Sequence, residues 1–104
     1  MIIVEKNQGE KIPYEVTGKK ICFDDDLTIN LAKREQDDAV HIDICYDRNQ
    51  ELVIGAAVGW AYVAEIDIPA RTYEDGEPSG EGDEGTHVPV PLDMDKVTLS
   101  LWAI

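Results

Sequence analysis

Residues 39–47 read "AVHIDICYD", and the alternation in this stretch decides the fold. Val40, Ile42, Ile44 and Tyr46 take every second position, with His41, Asp43, Cys45 and Asp47 between them. Successive side chains of a strand point to opposite sides, so a period of two puts the apolar set on one face and the polar set on the other. A helix would need apolar residues at three- and four-residue spacing. The alternation returns in "DLTINLAK" (Asp26–Lys33), where Thr28 and Asn30 separate Leu27, Ile29 and Leu31. It returns again in "DKVTLSLWAI" (Asp95–Ile104), where Val97, Leu99, Leu101 and Ala103 oppose Thr98, Ser100, Trp102 and Ile104. Three half-apolar ribbons of this kind predict a sheet.

Turn chemistry agrees. "YDRNQE" (Tyr46–Glu51) lies between two apolar runs and offers Asp and Asn where a tight reversal uses them. Val16-Thr17-Gly18-Lys19 marks a second reversal, from "IPYEV" into "KKICFD", and "MIIVEK" supplies a further short strand. The apolar run Leu52–Ala64 has no clear period. Its valines, Trp60 and Tyr62, followed by Ile66 and Ile68 alternating with Glu65 and Asp67, favour strand, while a buried helix stays open. At about 3.3 Å per residue one strand from Leu52 through Ile68 would exceed about 50 Å, against a usual length of about 20 Å, so the chain must bend or break. Gly55 and Gly59 are the candidate places.

These readings predict a single domain over residues 1–104, all-β, built as an antiparallel sandwich or strongly curved sheet of about six or seven strands. The candidate core is Ile29, Leu31, Ile42, Ile44, Val58, Trp60, Ile66, Leu99 and Leu101. Between the last two apolar strands runs "TYEDGEPSGEGDEGTHVP" (Thr72–Pro89), with six carboxylates, four glycines and no Lys or Arg. Glycines and like charges are costly to order, so residues 72–89 read as a long mobile acidic loop.

The formal net charge is −13, and the six acids of the loop leave most of it on the folded body. That balance argues against direct binding to nucleic-acid phosphates or anionic membranes, which call for Lys and Arg clusters, and points to a neutral or basic protein partner or to self-association. The start of the chain has no basic lead and only a three-residue apolar run, and no stretch reaches the roughly 20 apolar residues of a membrane helix. The expectation is a cytoplasmic protein in which Cys22 and Cys45 stay reduced.

No catalytic signature emerges. The two histidines accompany no nucleophile motif, and the Gly-rich loop has the wrong sign to cradle a phosphate. His41 and Cys45 share a strand face, yet they stand about 13 Å apart along it, too far to share a zinc ion. "FDDDL" (Phe23–Leu27) lacks the spaced acids of a calcium loop and reads as a turn or as edge-protecting charge. The reading is therefore a non-enzymatic structural or protein-interaction module with no catalytic residue, no metal and no cofactor. Its candidate interaction residues are Trp102 and Ile104, on the face opposite Leu99 and Leu101, and the polar-face acids Asp43, Asp47, Glu65 and Asp67. The competing reading is an acidic nucleic-acid mimic, in which carboxylates repeated along pleated strands occupy the basic groove of a DNA-binding protein.

The segments "YVAEIDIPARTYE" (Tyr62–Glu74) and "VPVPLDMDKVTLSLWAI" (Val88–Ile104) resemble small uncharacterised proteins of prophages and other mobile elements of Gram-positive bacteria. The resemblance covers about a third of the chain and carries over no functional residue. It implies an assembly or accessory role.

Overall fold

The computed structural model of the chain describes residues 1–57, 59–75 and 87–104. An interior strand of its larger sheet is β5 (Val40–Tyr46), the strand whose alternation is clearest. β5 pairs antiparallel with β7 (Ala61–Ile68) on one side and with the short β6 (Leu52–Ile54) on the other. β10 (Thr98–Leu101) joins β7 antiparallel, and β1 (Ile2–Glu5) closes that edge by pairing parallel to β10. The resulting sheet has the order β1-β10-β7-β5-β6. A second, three-stranded antiparallel sheet is formed by β2 (Tyr14–Thr17), β3 (Lys20–Phe23) and β4 (Leu27–Asn30).

The apolar faces of the two sheets meet. Ile42, Ile44, Ile66 and Leu99 of the larger sheet lie in one buried cluster with Ile21, Phe23 and Ile29 of the smaller, closed by Ile12, Leu31 and Leu92. This is the all-β architecture that the alternation predicts. Among the described residues it is divided into ten short strands, with the parallel β1–β10 pair as a departure from purely antiparallel pairing.

Three local readings change, those of Leu31, Trp60 and the acidic stretch, while the expected break near Gly55 is found. The alternation through Leu31 does not continue as strand: Asn30 accepts a hydrogen bond from the Lys33 amide at 3.2 Å and caps a single helical turn, α1 (Leu31–Arg34). Leu31 stays in the core from that turn. The run from Leu52 breaks between β6 and β7, around Gly55, whose φ of 104° is left-handed territory. Trp60, expected in the core, emerges from that break 67% exposed, on the connection that crosses from β6 on one side of β5 to β7 on the other. Val58, the other core candidate here, lies outside the described residues. Finally, the two ends of the acidic stretch form a ladder, β8 (Tyr73–Asp75) with β9 (His87–Pro89), where a loop was expected. Residues 76–86 lie outside the described part.

That ladder is tied to the body through Arg71. Its amide donates to the Gln36 carbonyl and its guanidinium to the Glu35 carbonyl, both at 2.8 Å, and the side chain also pairs with the carboxylates of Glu35 and Asp37. Tyr73 donates its hydroxyl proton to Asp37.

Candidate functional site

The outward face of the five-stranded sheet is polar because the residues between the buried isoleucines of β5 and β7 are His41, Asp43, Glu65 and Asp67. The antiparallel register sets His41 opposite Asp67 and Asp43 opposite Glu65. Opposed side chains in such a ladder stand within reach of one another. The imidazole of His41 collects all three carboxylates. Its Nδ1 lies 2.6 Å from Asp67, and its Nε2 lies 2.8 Å from Asp43 and 3.4 Å from Glu65. Hydrogen bonds, first to Asp67 and then to Asp43, outweigh partial burial and lift the imidazole above its ordinary 6.5. Trp102 completes the group: its indole N–H donates to the second oxygen of Glu65 at 2.8 Å, and its ring tilts against Tyr62 with centroids 6.0 Å apart.

Cys45 belongs to the same strand but not to this surface. A register shift between Ile44 and Cys45 carries it next to Tyr62, and the thiol is buried beneath Gly59. Burial, followed by the nearby Asp43 and Glu65 carboxylates, pushes the thiol upward and away from thiolate reactivity. Cys22 is half-buried on the other sheet, and both thiols are free.

A second feature lies at the end of the sheets where two hairpin turns and the C-terminus meet. The β3–β4 reversal carries Asp24 and Asp25 at positive φ, 52° and 51°, a conformation that aspartate tolerates better than most residues, and the Asp26 amide closes it on the Phe23 carbonyl at 2.9 Å. In the β5–β6 turn the Asp47 carboxylate accepts from the amides of Asn49 and Glu51 at 2.8 and 3.0 Å. Between these turns opens a groove of about 620 Å³, where Asp24, Asp26 and Asp47 face Trp60, Tyr62 and Ile104. Tyr46 lines it too; burial, then the carboxylates of Asp24 and Asp26, raise its hydroxyl above the ordinary range. Arg48 lies over the Trp60 ring, its guanidinium carbon 4.7 Å from the centroid, so the ring already presents a face to a cation.

The six residues singled out from the sequence thus divide between two places. Asp43, Glu65, Asp67 and Trp102 gather around His41, while Asp47 and the 51%-exposed Ile104 line the groove. Sequence reasoning passed over His41 as a partner of its acids, and it missed Trp60, Tyr62, Arg48, Asp24 and Asp26 as a surface. The signal for the first was present in the matched spacings His41-x-Asp43 and Glu65-x-Asp67, which meet once two strands are antiparallel. No family model, curated protein or solved structure matches the chain. Among the described residues, no helix is long and apolar enough to cross a membrane.

Proposed function

We propose that the protein is a non-enzymatic interaction module that seats a basic segment of a partner protein in the groove between the β3–β4 and β5–β6 turns. One observation carries this reading: the groove joins the carboxylates of Asp24, Asp26 and Asp47 to an exposed tryptophan. Carboxylates at the rim attract Lys and Arg and speed encounter, and an aromatic ring supplies the buried contact that most interface energy comes from. The overall charge of −13 acts in the same direction. The resemblance of Tyr62–Glu74 and Val88–Ile104 to prophage-encoded proteins supports an assembly or accessory setting for such a module.

The test is isothermal titration with an Arg/Lys-rich peptide at low and high salt. Saturable binding that weakens with salt is expected, as is a loss of at least about tenfold in Trp60→Ala. Absence of binding across a panel of basic peptides, or binding indifferent to Trp60 and Asp24, overturns the reading. Mimicry of nucleic acid is less well supported, because Asp43, Glu65 and Asp67 turn onto His41 rather than standing as an outward row.

Self-association has its own support in β1. Among the described residues no strand pairs with its outer edge, and Ile2, Ile3 and Val4 are all exposed. Unprotected apolar edges pair with other strands. Light scattering that shows a concentration-dependent dimer, abolished by Ile3→Lys, would support this second mode, and a monomer at every concentration would remove it.

A further inference from the structure

We infer that His41, Asp43 and Glu65 form a binding site for a divalent transition-metal cation of the zinc class, with imidazole Nε2 and one oxygen of each carboxylate as ligands and water completing the shell. One ligand atom from each of the three residues lies within 4.8 Å of the other two. Zinc bonds to nitrogen and oxygen of about 2.0–2.2 Å put neighbouring tetrahedral donors about 3.3–3.6 Å apart. The Nε2 to Glu65 distance of 3.4 Å already meets that spacing. The Nε2 to Asp43 distance of 2.8 Å meets it once the carboxylate moves outward by roughly half an ångström.

What separates this group from an ordinary cluster of acids is the imidazole and the way each donor is aimed. Asp67 accepts from Nδ1, which turns the Nε2 edge of the ring toward Asp43 and Glu65, so that the lone pair freed when Nε2 gives up its proton faces the same point as their oxygens, the arrangement by which a carboxylate orients a metal-bound histidine. The Trp102 indole holds one oxygen of Glu65 and leaves the other facing the site. All four acid and base side chains stand on adjacent central strands, so their spacing is set by the ladder rather than by a loop. Two ligand carboxylates neutralise a divalent ion, and Asp67 keeps the surroundings negative. A nitrogen donor in a three-residue set suits zinc, whereas calcium prefers six or more oxygens and magnesium an octahedron of them. On binding, the proton that Nε2 shares with Asp43 and Glu65 leaves to solvent, and the ion takes its place.

The site stands apart from the groove and does not depend on the partner proposed for it. The experiment is isothermal titration of zinc chloride into the full chain after chelator treatment, with calcium and magnesium chloride as controls. One zinc site is expected, absent in His41→Ala and kept in His87→Ala. Asp67→Asn and Trp102→Phe, which touch only the ligands, are expected to weaken it about 10- to 100-fold. Circular dichroism checks that each variant folds. On the unaltered protein, zinc should shift the His41 ring resonances in a nitrogen-edited NMR spectrum, a readout that needs no variant. Failure to take up zinc even at millimolar concentration, uptake that survives in His41→Ala, or ring resonances that stay fixed would each overturn the assignment.

Discussion

Asp67 approaches Nδ1 of His41 to 2.6 Å across a register in which the two residues are directly opposed. The pairing belongs to the chain itself, and it has a pH signature in the metal-free protein. The folded imidazole titrates above its ordinary 6.5, so the folded state holds the proton more tightly than the unfolded chain does. The stabilisation is fully present below pH 6.5 and is lost as pH rises through the folded value. In chelator, the melting temperature should therefore fall across the neutral range, and the fall should shrink in His41→Gln. His41 is 46% exposed, so solvent screening keeps the effect under about 1 kcal/mol. A melting temperature that rises over the same range would contradict the pairing.

Gly59 has no room for a side chain. A Cβ built there meets the Cys45 Cβ at 2.7 Å and its sulfur at 2.8 Å. Gly59→Ala is expected to lower stability by about 1–3 kcal/mol through overpacking, measured by denaturant unfolding. Adding Cys45→Ala removes the sulfur clash and leaves the Cβ contact, so the double variant should recover part of the loss. Strict additivity of the two changes would show that the residues do not press on one another.

How far this could be read from residues alone follows from which interactions are local. β5 was legible because one of its faces lies in the core and the other carries His41 and Asp43, and β10 because its buried Leu99 and Leu101 alternate with polar residues, although Ser100 between them is buried too. Residues 31–34 were misread because a four-residue turn is too short to display a helical period. Its signal was the capping side chain of Asn30, the last residue of β4. Trp60 was misplaced because an aromatic residue in an apolar run resembles core, and its exposure follows from the crossover between β6 and β7, which no local pattern displays. The His41 group depends on the register between β5 and β7. The alternation fixes which face of each strand is buried, but a slip of two residues would keep those faces and still disperse the group, and nothing in the local pattern of either strand excludes it. The groove is harder still, since its walls come from turns separated by some twenty residues and from the chain end.

Arg71 is expected to govern the base of the β8–β9 ladder. Arg71→Ala removes its bonds to the Glu35 carbonyl and to the Glu35 and Asp37 carboxylates, leaving Tyr73 as the side chain joining the ladder to the 35–37 segment. Hydrogen exchange at the Glu74 and Val90 amides, which belong to the bonded pairs of this ladder, should quicken, while amides of β5 and β7 keep their protection, because the two ladders open separately. Equal acceleration in both would show that the clamp supports the whole domain. No change in either would show that it supports nothing.

Gln50 adopts a φ of 62°, the left-handed conformation that closes the β5–β6 turn, with its amide donating to the Asp47 carbonyl at 3.0 Å. A residue with a Cβ pays about 1–2 kcal/mol there, and glycine does not. Glycine gives back about 0.5–1 kcal/mol by loosening the unfolded chain. Gln50→Gly should therefore gain about 0.5–1 kcal/mol, seen as a rise of a few degrees in melting temperature. Asn49 next to it is not left-handed, so Asn49→Gly should gain nothing. The turn also carries Arg48 and Asp47 into the groove, so a firmer turn should hold them in place and leave affinity for a basic peptide intact. A stabilised Gln50→Gly variant that binds such a peptide more weakly would show that the Gln50 side chain, which lines the groove, takes part in the contact.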